Sequence, residues 1–192
     1  EPIADFIDLA ILGEAEAALP PFVDLFARLK RETRDRNTLL TELARNFPWV
    51  YAPSLYNIEY HPDGTIRSIE ATVSDIPMPV TKAYVSSQDF ETGFAPTKPI
   101  VPYVQTVHDR LNIEIMRGCP HACRFCNEGH TRRPLRMRSA QRIVQLARES
   151  FANTGLTEIS LCSLSSADYP ELETLFAQMN RIFAPMNVSI AL

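Results

Sequence analysis

Glu114-Ile115-Met116-Arg117-Gly118-Cys119-Pro120-His121-Ala122-Cys123-Arg124-Phe125-Cys126 is the stretch that decides how this sequence is understood. Asn112 to Met116 has the makings of a short strand, and Arg117-Gly118 ends it and delivers the chain into a loop with Cys-x3-Cys-x2-Cys spacing. Three thiolates can hold three irons of a four-iron cubane and leave the fourth iron without a protein ligand, open to substrate. A ligand loop leaving the C-terminal end of a first strand also sits at the mouth where β/α barrels work. The competing interpretation is a zinc knuckle that borrows His121, His130 or Cys162 as fourth ligand. Zinc sites come as paired Cys-x-x-Cys or Cys/His halves more than as a triplet after a strand, so the cluster is preferred. His121 and His130 are then expected as loop surface residues, and Cys162 as a buried strand residue.

Working outward, Ser139 is placed to cap a helix carrying Ile143, Val144, Ala147 and Phe151 on one face, with Gly155 as its left-handed C-cap. A strand from Glu158 to Cys162 follows. Asp168 is expected to cap a helix starting at Pro170, with Leu172, Leu175, Phe176, Met179, Ile182 and Phe183 at helical spacing, before a last strand from Asn187 to Leu192. Strand, helix, strand, helix, strand is the grammar of parallel β/α units, so residues 111–192 are assigned to an incomplete parallel β/α barrel.

Upstream, Ser74 to Arg110 loses periodicity under Pro77, Pro79, Pro96, Pro99 and Pro102 and reads as a linker lying extended over a neighbouring surface. Before it, Ser54 to Tyr60 and Thr65 to Thr72 flank His61-Pro62-Asp63-Gly64, where Pro presets a bend and Gly accepts positive φ; a β-hairpin is expected. Phe6 to Leu12 reads as a buried strand, followed by a Gly13 turn and a helix through Leu19, Phe22, Val23, Leu25 and Phe26, with Pro20 and Pro21 in its first turn. A second helix is expected from Asn37 to Ala44. Hairpin and linker together make a middle segment of residues 47–110, after an N-terminal segment of residues 1–46.

Composition sets the outer bounds. With 192 residues, 45% of them hydrophobic and 22% charged, the chain suits a folded protein with one or two cores. A net charge of −4 gives no general footprint for nucleic acid. No stretch reaches the ~18 apolar residues of a membrane span, and Glu1-Pro2-Ile3 shows neither an initiator Met nor a signal layout, so a cytoplasmic protein cut from something longer is expected. Its one basic concentration is Thr131 to Arg138. The planar forks of Arg132, Arg133, Arg136 and Arg138 suit a carboxylate or phosphate, against the alternative of a solvated loop paired to nearby acids.

The triplet with an aromatic residue, Phe125, just before its last cysteine resembles the signature of the radical SAM superfamily. The resemblance extends through Val107-His108-Asp109-Arg110, Arg117-Gly118-Cys119, Cys123-Arg124-Phe125-Cys126, Arg133-Pro134, Arg136 with Arg138-Ser139, and Ile159-Ser160-Leu161 with Leu164-Ser165-Ser166. These are similar to a bacterial family of radical SAM proteins with an N-terminal cobalamin-binding domain, of uncharacterised reaction. It implies a [4Fe–4S] cluster on Cys119, Cys123 and Cys126, and reductive cleavage of S-adenosylmethionine (SAM) bound to the open iron. It further implies Phe125 near the adenine, and a one-electron reductant such as flavodoxin or ferredoxin. Residues 1–46 would be the tail of a Rossmann-like cobalamin-binding domain, with Gly13-Glu14-Ala15-Glu16 at its Gly-Glu-x-Glu turn and cobalamin as a second cofactor for methyl transfer. The Asp-x-His-x-x-Gly loop that often ligates cobalt is absent from the sequence. Where many relatives carry a Gly-Gly-Glu-like turn, this chain has Cys162-Ser163-Leu164-Ser165-Ser166-Ala167-Asp168, so Ser165 and Ser166 become SAM-binding candidates beside Arg136. The alternative from another class is a zinc- or cluster-bearing binding module without turnover. The substrate, a small molecule, RNA or protein, is not legible, and the chain alone is expected to be inactive.

Overall fold

The computed structural model describes residues 3–104 and 106–192. The chain divides into two compact units, Glu1–Val85 and Ser86–Leu192, and the division falls within the segment read as hairpin and linker.

In the first unit, β1 (Ala10–Ile11) is followed by α1 (Ala15–Glu32), α2 (Arg36–Asn46), β2 (Val50–Tyr51), β3 (Tyr56–Tyr60) and β4 (Ile66–Ala71). The expected strand from Phe6 to Leu12 shrinks to two residues, because its partner β2 offers only Tyr51 and Val50. Phe6 closes a 3-10 turn and stands 85% exposed, while Asp8 is drawn to an ion pair with Arg36. That β1–β2 pairing is antiparallel, and no Rossmann-like sheet is seen among the described residues. Pro20 and Pro21 also lie deeper than expected. Since α1 begins at Ala15, they fall beyond the first turn, where Pro20 lacks the N–H that would donate to the Glu16 carbonyl. Ala18, Leu25 and Leu29 are buried along one face, and Leu25 and Leu29 offset that loss by packing in one core with Leu40 and Leu43 of α2. Asp35 caps α2 by accepting from the Thr38 amide at 2.7 Å. The hairpin forms as expected: β3 and β4 run antiparallel, Gly64 takes φ +83°, and Asp63 accepts from the Thr65 amide at 3.0 Å. Extended residues 81–83 lie along the Gly13 turn, with the Glu14 amide donating to the Ala83 carbonyl at 3.0 Å. Gly13, at φ +116°, is held there by that close approach, since a Cβ would meet the Ala83 carbonyl oxygen at 2.0 Å.

The second unit runs α3 (Ser87–Thr92), β5 (Leu111–Glu114), β6 (Met116–Arg117), α4 (Glu128–Thr131), β7 (Arg136–Met137), α5 (Ala140–Thr154), β8 (Glu158–Cys162), α6 (Leu172–Phe183) and β9 (Ser189–Ala191). Strands β5, β8 and β9 form a three-stranded parallel sheet in sequence order, giving a mixed α/β unit; among the described residues a closed barrel is not seen. Alternation along β5 sends Leu111 and Ile113 into the core with Ile143, Leu146, Leu161, Leu175 and Phe183. Asn112 and Glu114 point the other way, in register with Ser160 and Cys162. Ser139 caps α5 through the Arg142 amide at 3.1 Å and Gly155 ends it at φ +70°, both as the sequence indicates. By contrast, Asp168 caps nothing: α6 begins at Leu172, with Glu171 before it making no side-chain cap.

Of the short elements that were not anticipated, two shape the C-terminal unit. Helix α3 sits inside the supposed linker, capped by Ser86 Oγ on the Asp89 amide at 3.0 Å, with Phe90 2% exposed. Strand β7 pairs antiparallel with β6 and turns the basic stretch inward. Arg138 is only 5% exposed. Its guanidinium carbon lies 4.3 Å from the Phe90 ring centroid, its Nε donates to the Glu114 carbonyl at 3.1 Å, and its Nη1 donates to the Phe90 and Glu91 carbonyls. Glu91 in turn accepts from the Ser139 amide and hydroxyl at 2.9 and 2.6 Å. Burial pulls the Arg138 pKa below its ordinary value, with nearby Glu114 opposing the shift. Arg138→Met should therefore lower unfolding stability by about 2–4 kcal/mol in urea titrations, because several carbonyls lose a charged donor in a buried place. Arg138→Lys should recover less than half, since an ammonium cannot fork to three carbonyls while lying flat on a ring.

Candidate metal centre

The cysteine loop leaves β6 through Gly118, whose φ of +93° and close packing admit no side chain. A Cβ there would sit 2.8 Å from the Arg132 carbonyl oxygen and 2.9 Å from that of Pro134. The loop then holds Cys119, Cys123 and Cys126 before α4 closes it. All are free thiols, Cys123 exposed and the others partly so. A turn between Cys123 and Cys126 is closed by the Cys126 amide on the Cys123 carbonyl at 3.0 Å. The Gly129 amide donates to Cys126 Sγ at 3.4 Å. Arg133 braces the loop internally, its Nε donating to the Gly129 carbonyl at 3.1 Å and its Nη2 to that of His121 at 3.5 Å.

The thiols share one loop, but their sulfurs do not converge. Among the described residues no group of three or more His, Cys, Asp or Glu side chains is gathered closely enough to hold a metal ion. The donor chemistry nonetheless fits an iron–sulfur cluster: three soft thiols, none in a disulfide, on one short loop with an amide aimed at sulfur. His121 Nε2 is engaged 2.7 Å from Asp168 Oδ2 rather than turned toward the thiols. Cys162 is half-buried rather than fully buried, at the end of β8, with its Sγ 3.5 Å from Asn112 Oδ1.

The other candidates are placed as follows. Phe125 is 93% exposed beside Cys126. Ser165 and Ser166 lie in the loop after β8, where Ser165 Oγ donates to Asp168 and Ser166 Oγ donates to the Leu161 carbonyl at 3.2 Å. The basic stretch divides. Arg132 and Arg133 are exposed, Arg132 pairing with Glu128 at 2.8 Å. Arg136 is 2% exposed, its Nε and Nη2 donating to the Pro134 and Arg132 carbonyls at 3.0 and 3.3 Å. No local pattern signals the His121–Asp168 contact, which joins residues 47 apart; the Ser86-x-x-Asp89 capping pattern does signal α3.

Residues 113–190 match the family model of the radical SAM superfamily, and residues 1–53 match the model described as radical SAM proteins, N-terminal. The two matches support the radical SAM superfamily for the stretches they cover, a superfamily whose membership suggests an enzyme. They do not single out the family with a cobalamin-binding domain. No curated protein and no solved structure matches the chain. No helix among the described residues is long and apolar enough to cross a membrane.

Asp168 is held below the usual carboxylate range, first by the Ser165 hydroxyl and then by His121. A depressed carboxyl contributes stability that is present above its ordinary value and lost as pH falls through the depressed one. Carbon-detected NMR titration should place the Asp168 midpoint below that of an unperturbed aspartate, and Ser165→Ala should move it back up. An unmoved midpoint in that variant would remove the hydroxyl as the main cause.

Proposed function

We propose that this chain holds a [4Fe–4S] cluster on Cys119, Cys123 and Cys126 and takes part in reductive cleavage of SAM. The observation that carries this is a triplet of free thiols on one loop at the C-terminal edge of a parallel sheet, inside the stretch that matches the superfamily model. Cys119, Cys123 and Cys126 would hold the cluster, which would supply one-electron reduction of the SAM sulfonium, with the electron drawn from a flavodoxin- or ferredoxin-like donor and a carbon–sulfur bond broken to give methionine and a 5′-deoxyadenosyl radical.

The protein's own part is binding and placement. Three thiolates hold the irons, and a loop braced by Arg133 and seated on Gly118 presents them. Phe125, exposed next to Cys126, supplies an aromatic face for adenine. Ser165 and Ser166 supply hydroxyls and carbonyls across the loop after β8. Arg136, already committed to main-chain carbonyls, serves the cofactor through the turn it holds together. Cobalamin as a methyl carrier, and a cytoplasmic setting that protects an oxygen-sensitive cluster, complete the proposal.

Anaerobic reconstitution tests it. Single Cys→Ala changes at 119, 123 or 126 should abolish iron uptake, whereas Cys162→Ala should leave it unchanged. The full-length protein, reduced with dithionite and given SAM, should form 5′-deoxyadenosine and methionine. Phe125→Ala should weaken SAM binding by about 1 kcal/mol, the scale of base stacking on an aromatic ring, and keep the cluster. Added S-adenosylhomocysteine among the products would mark cobalamin-dependent methyl transfer. Loaded, reduced protein that binds SAM without releasing either nucleoside would instead establish a binding module, and colourless zinc-loaded protein would remove the cluster.

A further inference from the structure

The loop after β6 and the loop after β8 meet at the C-terminal edge of the sheet through a chain of side chains. His121, between Cys119 and Cys123, brings Nε2 to 2.7 Å from Asp168 Oδ2, and Ser165 Oγ donates to the same oxygen. The Ser165 amide donates to Ser163 Oγ at 3.0 Å, Ser163 Oγ lies 3.0 Å from Ser166 Oγ, and Ser166 Oγ reaches the Leu161 carbonyl at 3.2 Å. A continuous path thus runs from the cysteine loop to the main chain of the central strand, at a residue with no exposure. Nothing local demands it: Asp168 caps no helix, and the cysteine loop already has its internal form from Gly118 and Arg133.

We propose that His121 and Asp168 are positioning residues that latch the cysteine loop to the loop following β8, presetting the gap that a ligand touching both loops must fit. With SAM as that ligand, the inference rests on the function proposed above. Cluster assembly needs only the cysteine loop. Affinity for a ligand that spans two loops depends on their spacing, because ordering a loop upon binding subtracts from the affinity. The latch therefore separates the two: loss of either partner spares iron and weakens SAM.

Hydrogen exchange on the protein without cluster tests the latch directly. Asp168→Ala should speed exchange in residues 119–131 as well as 163–168, and His121→Ala should do the same in the reverse direction, with α5 and β8 unchanged. Asp168→Asn, whose amide oxygen still accepts from the imidazole N–H and the Ser165 hydroxyl, should restore most of the protection. On reconstituted protein, His121→Ala, Asp168→Ala and the double variant should all keep wild-type iron. Each single change should weaken equilibrium SAM binding by about two- to fivefold, the worth of one exposed side-chain pair, and the double should be no weaker than the singles. Unchanged exchange in residues 119–131 of Asp168→Ala overturns the latch. Losses that multiply in the double overturn it too, since Asp168 would then meet the ligand on its own account. Should Asp168→Ala not fold, Ser165→Ala makes the same comparison, with a smaller rise in exchange of the cysteine loop expected and no rise overturning the proposal. Wild-type protein that takes up no iron would refute the proposed function alone, because the exchange measurement needs no cofactor.

Discussion

Arg138 lies flat on the Phe90 ring and gives its hydrogens to main-chain oxygens of Phe90, Glu91 and Glu114, and the C-terminal unit is organised around that placement. A guanidinium taken out of water must find several acceptors at once, and carbonyls at a helix end and a strand end provide them, with the Glu114 and Glu91 carboxylates nearby adding counter-charge. The consequence is positional. Helix α3 is tied to the end of β5, Ser139 is presented to Glu91, and the start of α5 is fixed by the residue just before its cap. Arg117, the last residue of β6, shares the same ring at 5.0 Å while its guanidinium grips Glu114 at 2.8 and 2.7 Å. The point where the cysteine loop begins is therefore anchored from two sides.

From that anchor the loop is built by close approach rather than by regular structure. Gly118 lets the chain pass against the carbonyls of Arg132 and Pro134, and Arg133 returns to hold the carbonyls of His121 and Gly129. A loop fixed in this way presents side chains that are themselves exposed, such as Cys123 and Phe125, on a backbone that is not free to wander. The basic stretch is thus not one feature. Arg136 and Arg138 are internal struts, while Arg132 and Arg133 stay at the surface, Arg133 bracing the loop from there.

Alternation and helical spacing told which segments fold, because each is a local consequence of one strand or helix burying one face. Ser139, Gly155 and the strand from Glu158 to Cys162 follow from such signals, as does the hairpin turn at Asp63-Gly64. Pro20 and Pro21 show where the same logic slips: proline marks a preference for a first turn, yet packing by Ala18, Leu25 and Leu29 carried α1 through them. Asp168 shows it again, since an aspartate before Pro170 satisfies a capping pattern and still finds a better partner in His121.

What the sequence by itself determined is the chemistry on offer: a cysteine triplet after a short strand, followed by alternating helices and strands, each encoded within a few residues. The tertiary structure alone decided which arginines are buried, that α3 belongs to the C-terminal unit, and that His121 meets Asp168 across 47 residues. Those choices compare many partners at once. A guanidinium, an imidazole or a carboxylate goes where desolvation is best repaid by hydrogen bonds, and that balance exists only after distant segments have been brought together.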